Sequence, residues 1–246
     1  MGGVVSAVIF DFYGTLARWA DPAVSDYGFV LADFGYTLDP AALGEYFRRY
    51  DGVAHGAQSV NEEAYEAWVR ERLRGLIAGC GVTDDAEAVV DAMRLSDRGE
   101  MVAYPEAAAT LEAVRAAGLG VGVCSNWGWE LDAFLEQVGL LELVDAGVTS
   151  ARVGSRKPHP DIYAHSTAAL GVTPDEVLFV GDSWEPDVRG PRRCGMAAAH
   201  VWRAEERGGT VAPALEAGDH RVEDLRGVLA IVAALGAGDD PARVAR

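Results

Sequence analysis

Apolar positions follow different spacings in three successive stretches of this chain. The first, Val4-Val5-Ser6-Ala7-Val8-Ile9-Phe10, is almost unbroken in its hydrophobicity and rich in β-branched residues, which predicts a strand buried on both faces. It runs into Asp11-Phe12-Tyr13-Gly14-Thr15-Leu16, an acid followed by a turn. From about Pro22 to Leu95 the spacing is helical and no strand is expected. Tyr27, Val30, Leu31 and Phe34 form one apolar face, and Leu43, Tyr46, Phe47 and Tyr50 a second. A third helix is expected from about Glu62 to Ile77, with Tyr65, Trp68, Val69, Leu73 and Leu76 on its apolar side. Glu66, Arg70, Glu71, Arg72 and Arg74 fall on the rest of that helix. A fourth spans about Asp85 to Leu95, opened by Thr83-Asp84-Asp85, and Gly52 to Asn61 reads as a loop.

Beyond Tyr104-Pro105, helices and strands alternate. Helices are expected over Ala107–Ala117, Glu130–Val138, Asp161–Leu170 and Val188–Cys194, each followed directly by glycine. Strands are expected over Leu119–Cys124, Val144–Thr149, Val177–Val180 and Ala198–Trp202. A last amphipathic helix covers Val222–Leu235, before a polar tail from Gly236 to Arg246. Such alternation predicts an α/β fold with a doubly wound parallel sheet. The core domain is built from residues 1–16 and 102–246, and an all-α insert occupies residues 17–101.

Half of the 246 residues are hydrophobic, enough for a substantial core. Lys and Arg number 21 against 38 Asp and Glu, a formal net charge of -17 that disfavours nucleic acid and anionic membrane. An anionic substrate must therefore meet a local positive site. No apolar run approaches the roughly 20 residues of a membrane helix. Cys80, Cys124 and Cys194 are too scattered for a disulfide framework or zinc cluster, which fits reduced thiols and a cytoplasmic location. A monomer or a homodimer is expected.

In a doubly wound sheet the carboxyl ends of the strands meet in one crevice. Asp11, Tyr13 and Thr15 follow the first strand, and Ser125-Asn126 follows Val121-Gly122-Val123-Cys124. Lys157 stands in Gly154-Ser155-Arg156-Lys157-Pro158-His159-Pro160, and Asp182 with Asp187 follows Val177–Gly181. Taken singly, the acids and Ser125-Asn126 also read as helix caps, and Lys157 as an exposed lysine. Jointly they supply a carboxylate nucleophile, a hydroxyl and amide cradle, one cation and acids suited to Mg²⁺, which are the parts of phosphoryl transfer to an aspartate.

In that order these segments resemble the four motifs of the haloacid dehalogenase-like (HAD) hydrolase superfamily, with the helical insert where its subfamily I cap lies. The stretch from Lys157-Pro158 to Gly181-Asp182, continued by Asp187-Val188-Arg189-Gly190-Pro191-Arg192, is similar to the rhythmically-expressed-gene-like, phosphatase-type branch. The resemblance implies that Asp11 forms an aspartyl-phosphate with a small phosphomonoester. It implies Mg²⁺ held by Asp11, the carbonyl of Tyr13, Asp182 and, directly or through water, Asp187. Ser125 and the N–H of Asn126 would bind phosphoryl oxygens, Lys157 would neutralise charge, and Thr15 would orient the loop. The family's phosphatases usually carry a second Asp where Tyr13 stands. General acid–base help is worth about 10²–10⁴-fold, and a phenol with a reference pKa of about 10 is a poor base near neutrality. Haloacid dehalogenases of the superfamily carry Tyr at this place and need no metal, so metal-independent 2-haloacid dehalogenation is the alternative, and a binding or regulatory protein with lost catalysis is a third. The intact Asp182 favours the phosphatase. Arg18, Arg48 and Arg49 are positional candidates for a substrate-gripping arginine of the insert. Trp127, Trp129 and Trp184 are candidates for a leaving-group pocket, and His159 for a substitute acid.

Overall fold

The computed structural model describes residues 4–21, 27–50, 52–96 and 100–236; the expected tail beyond Gly236 lies outside them. The first strand, β1 (Ala7–Phe10), has Val8 and Phe10 in one hydrophobic cluster and Ala7 and Ile9 in another, all fully buried. Side chains alternate across a strand, so covering both faces leaves no position for a polar residue.

Two short strands, β2 (Ala17–Trp19) and β3 (Met101–Ala103), form a separate antiparallel pair. The remaining strands are β4 (Gly120–Ser125), β5 (Ala146–Thr149), β6 (Val177–Gly181), β7 (Ala197–Val201) and β8 (Asp219–Val222). With β1 they build one parallel sheet in the order β5-β4-β1-β6-β7-β8. Phe10 pairs with both Val123 and Val180, so the chain leaves β1, β4 and β6 at one level of the same edge. That register brings Asp11, Ser125 and Asp182 together.

Among the described residues between β2 and β3 are the helices α1 (Tyr27–Asp33), α2 (Pro40–Tyr50), α3 (Glu62–Gly79) and α4 (Ala86–Ser96). Asn61 caps α3 by accepting from the Ala64 N–H at 2.8 Å, and Glu62 and Glu63 in the first turn suit the helix dipole. Leu31, Tyr65, Val69, Leu73, Leu76, Val89 and Met93 form a hydrophobic cluster of these helices. Helices α5 (Ala107–Ala116), α6 (Leu131–Gln137), α7 (Ser150–Val153), α8 (Pro160–Leu170), α9 (Gly190–Arg193) and α10 (Val228–Gly236) follow. Leu111, Leu131 and Val228 bring α5, α6 and α10 against one face of the sheet, and Ile162 and Tyr163 bring α8 against the other.

Three local expectations change. Trp19 and Met101, expected with the helical insert, pack into the sheet's cluster because β2 and β3 pair and carry them there. The segment from Val222 does not begin a helix: β8 ends there, Asp224 caps a single turn by accepting from the Arg226 N–H at 2.9 Å, and α10 starts at Val228. The segment expected as a helix from Val188 is instead a π-helical turn, Trp184–Arg189, leading into α9. It places Asp187 so that its carboxylate accepts from the Ser183 N–H at 2.9 Å. The Gly52–Asn61 loop contains one 3₁₀ turn and docks on the sheet domain, where the Arg156 N–H donates to the Val53 carbonyl at 3.1 Å. Among the described residues no helix is long and apolar enough to cross a membrane.

The turn after β1 is fixed from a distance by Arg203. Its guanidinium donates to the carbonyls of Gly14 (2.9 Å) and Thr15 (3.2 Å) and to Glu106 Oε1 (2.8 Å), and lies 3.6 Å from the centre of the Tyr104 ring. Arg203 and Glu106 are both buried. Removing one member of a buried, hydrogen-bonded ion pair costs about 3–5 kcal/mol, since the other charge is left uncompensated. Arg203→Met is expected to lower unfolding free energy by about that much in urea denaturation, and adding Glu106→Leu to recover part of it. An unchanged midpoint for the single variant contradicts this role.

Candidate active site

Asp11 leaves β1 with its N–H bonded to the Val180 carbonyl at 2.8 Å, which fixes its backbone between β1 and β6. Its Oδ1 accepts from Ser125 Oγ at 2.9 Å and from Lys157 Nζ at 2.8 Å. The same ammonium donates to Asp187 Oδ1 at 2.7 Å, and the lysine is only 2 % exposed. Burial alone would push the lysine pKa down; the carboxylates of Asp11 and Asp187 outweigh it and hold the ammonium well above its ordinary value. Lys157 is held by Asn126, whose side-chain carbonyl accepts from the Lys157 N–H (2.7 Å) while its amide donates to the Lys157 carbonyl (3.0 Å).

Asp182 sits against the turn after β1. Gly14 has φ +80°, and a Cβ there would come within 2.7 Å of Asp182 Oδ2. A Cβ at Gly181 would overlap the Asp187 carboxyl. Glycine at these two positions is what lets the acids close on Asp11. One carboxylate oxygen each from Asp11, Asp182 and Asp187 lie within 4.8 Å of one another. Lys157 and Arg207, the latter 2.6 Å from Asp182 Oδ2, bring two positive charges to three negative ones. One negative charge is left over. Burial first, and then the neighbouring carboxylates, push Asp182 and Asp187 above the usual carboxylate range, against the pull of Arg207 and Lys157. An all-oxygen donor set with excess negative charge fits a hard divalent cation.

Tyr13 points away from this cluster. Its ring stacks on Trp127 at 6.3 Å and tilts against Trp19 at 6.2 Å. These three rings floor a cavity of about 630 Å³ that also touches Asn126 and is roofed by Leu43, Tyr46 and Phe47 of α2. Its size and lining suit a small organic ligand. Trp129 joins the helical cluster, while Trp184 packs on His200 at 5.3 Å. His159 caps α8, its Nδ1 accepting from the Asp161 N–H at 3.3 Å.

Thr15 requires correction. It is fully buried and its hydroxyl has no hydrogen-bond partner among the described residues, whereas Arg203 bonds the carbonyls of this loop. Arg18, Arg48 and Arg49 do not line the cavity; Arg72, Arg94 and Arg156 do. Arg72, expected on the polar side of α3, is 5 % exposed. Its spacing could have revealed it, since it stands one helical turn after Trp68 and two after Tyr65 on the apolar face. Arg203 and Arg207 follow Trp202, a strand end whose charged residues sequence reasoning passed over because they match no motif.

A family model described as haloacid dehalogenase-like hydrolase matches residues 5–195. Ribulose-1,5-bisphosphate 5-phosphatase of Halopiger xanaduensis is 28 % identical over 216 residues, covering 84 % of this chain and 89 % of that one. (S)-2-haloacid dehalogenase of Xanthobacter autotrophicus is 29 % identical over 220 residues, covering 85 % and 83 %. The crystal structure of a HAD phosphatase from Thermococcus onnurineus superposes with a TM-score of 0.61 at 22 % identity, over 93 % of this chain and 98 % of that one, a likeness of fold. Similarity thus extends to phosphatases and dehalogenases alike, and this chain belongs to the haloacid dehalogenase-like hydrolases.

Proposed function

We propose that the chain is a Mg²⁺-dependent phosphomonoesterase that works through an aspartyl-phosphate on Asp11. The observation that carries this reading is the trio of carboxylates, Asp11, Asp182 and Asp187, gathered within 4.8 Å. Asp11, Asp182 and Asp187, with the Tyr13 carbonyl, are the residues that would hold the cation. When bound, Mg²⁺ screens the repulsion between a carboxylate nucleophile and an anionic phosphate.

Ser125 and Lys157 both donate to Asp11 Oδ1, which leaves Oδ2 to attack. Attack forms an Oδ–P bond as the ester P–O bond breaks and the alcohol oxygen leaves with the bonding pair. Lys157, charged throughout, offsets the negative charge on Asp11 and the phosphoryl group, while Ser125 Oγ and the Asn126 N–H hold phosphoryl oxygens. Water then adds to phosphorus, the Oδ–P bond breaks, and inorganic phosphate leaves with Asp11 restored.

Tyr13 shapes the substrate preference. With no carboxylic acid at that position, the favoured substrates are esters whose leaving group needs no proton, such as aryl phosphates. The same residue supports a second reading, halide displacement by Asp11 from an S-2-haloacid, because halide leaves without a proton.

Hydrolysis of 4-nitrophenyl phosphate is expected to vanish in EDTA, return with Mg²⁺, and be lost in Asp11→Asn; activity indifferent to EDTA rejects the metal dependence. Tyr13→Asp is expected to raise turnover of an alkyl phosphate at least about tenfold, within the range that general acid–base help supplies. No gain, together with metal-free halide release from S-2-chloropropionate by the unaltered chain, gives the second reading precedence.

A further inference from the structure

The cavity above Tyr13 holds a buried cation whose usual partner is missing. Arg72 is 5 % exposed in a chain of formal net charge -17, yet none of the described carboxylates forms an ion pair with it. Aromatic rings surround it instead: the guanidinium carbon lies 4.2 Å from the centre of Tyr50, 4.7 Å from Tyr46 and 4.7 Å from Trp68. Ring faces stabilise the charge and hold it in place, but they do not replace a hydrogen-bond acceptor. The Arg72 Nε is buried without one. Trp127, which also lines the cavity, likewise has its indole Nε1 buried without an acceptor. Leaving such donors unsatisfied is costly, and native proteins seldom do so without a ligand or ordered water to complete them.

Other groups nearby do not fill the gap. His55 stacks on Trp68 at 4.4 Å, and burial together with the charges of Arg156 and Arg72 lowers its pKa to about 4, so it is neutral. Glu130 also lines the cavity, but its carboxylate folds over Gly128. Arg94, a third lining cation, is held by Glu66 at 2.7 Å.

We propose that Arg72 is a recognition residue for a carboxylate on the substrate's leaving group, so that this chain takes phosphomonoesters with an apolar or aromatic body bearing a carboxylate. The proposal rests on the phosphatase reading for the reaction, but not for the binding. A guanidinium fork matches a carboxylate's two oxygens, and one positive charge balances one carboxylate. Tyr13, Trp19 and Trp127 supply apolar wall in the same cavity, and Tyr13 and Asn126 connect it to the strand ends that carry Asp11 and Ser125.

Two measurements on the full chain test it. Titration with benzoate and with neutral benzamide, followed by intrinsic tryptophan fluorescence, is expected to show benzoate binding at least about tenfold tighter, the worth of a charge-assisted hydrogen bond. In kinetics, 4-carboxyphenyl phosphate is expected to exceed phenyl phosphate at least about tenfold in kcat/KM, mainly through KM. Arg72→Gln should bring both ratios close to one, and Arg72→Lys should restore part of them, with circular dichroism melts reporting that each variant is folded. If Arg72→Gln does not fold, Arg72→Lys decides alone, since a lysine loses the bidentate fork and must lower both ratios. Benzoate preference that depends on Arg72, without hydrolysis of either ester, upholds the site and rejects the phosphatase reading. Hydrolysis with no carboxylate preference, or a preference that survives Arg72→Gln, overturns the site and leaves the phosphatase reading standing.

Discussion

Lys157, buried between Asp11 and Asp187, is the contact around which the strand ends are arranged. An ammonium removed from water is costly unless its partners are close and fixed, and two carboxylates at 2.8 and 2.7 Å meet that need. Each partner is positioned by a different element. Asp11 comes from the central strand, Asp187 from a π-helical turn, and Lys157 from a loop pinned at both its N–H and its carbonyl by Asn126. Buried ion pairs contribute little net stability, so the value of this one lies in the single arrangement it selects. The glycines at 14 and 181 belong to the same constraint, since a side chain at either would push an acid out of the cluster.

Charge then separates two regions that lie only a few residues apart in sequence. Below Tyr13, three acids outnumber two cations, which attracts further positive charge. Above it, the cavity wall is aromatic and carries arginines from α3 and the Lys157 loop. Tyr13 is the partition. Its ring faces the cavity while its neighbours Asp11 and Gly14 face the acids, so replacing the usual second acid by a phenol changes the surface that a leaving group meets as well as the proton inventory.

The parts of this arrangement that were readable from sequence share one property: they depend on local pattern. The parallel sheet follows from alternation of helix and strand, Asp11, Ser125 and Asp182 from their places at strand ends, and Lys157 from the Gly- and Pro-bounded segment that carries it. The unread parts depend on contacts distant in sequence. Arg203 bonds to a turn 188 and 189 residues earlier, which no period or motif encodes. Pairing of β2 with β3 joins two three-residue segments that are too short to carry a strand signal of their own. The burial of Thr15 is of the same kind: its position beside Gly14 suggests a polar turn facing the crevice, whereas the side chain is fully buried and its carbonyl is held by Arg203. Arg72 reads as polar by residue type, whereas its spacing from Tyr65 and Trp68 puts it on the apolar face of α3.

The surroundings of Arg72 bear on how substrate choice is built. A helix of a chain rich in acids can pair its arginines with Asp or Glu, as α3 does on its exposed side, where Arg70 and Arg74 both meet Glu87. Arg72 lies between those two in sequence, yet turns toward Tyr46, Tyr50 and Trp68. Rings fix a guanidinium without neutralising it, so its charge remains available to whatever enters the cavity. An acid in the same place would have stabilised the helix and closed the site. The aromatic residues of α2 and α3 therefore serve two ends at once: they complete the hydrophobic packing of the helical layer, and they keep one positive charge unspent in a chain that is otherwise strongly negative.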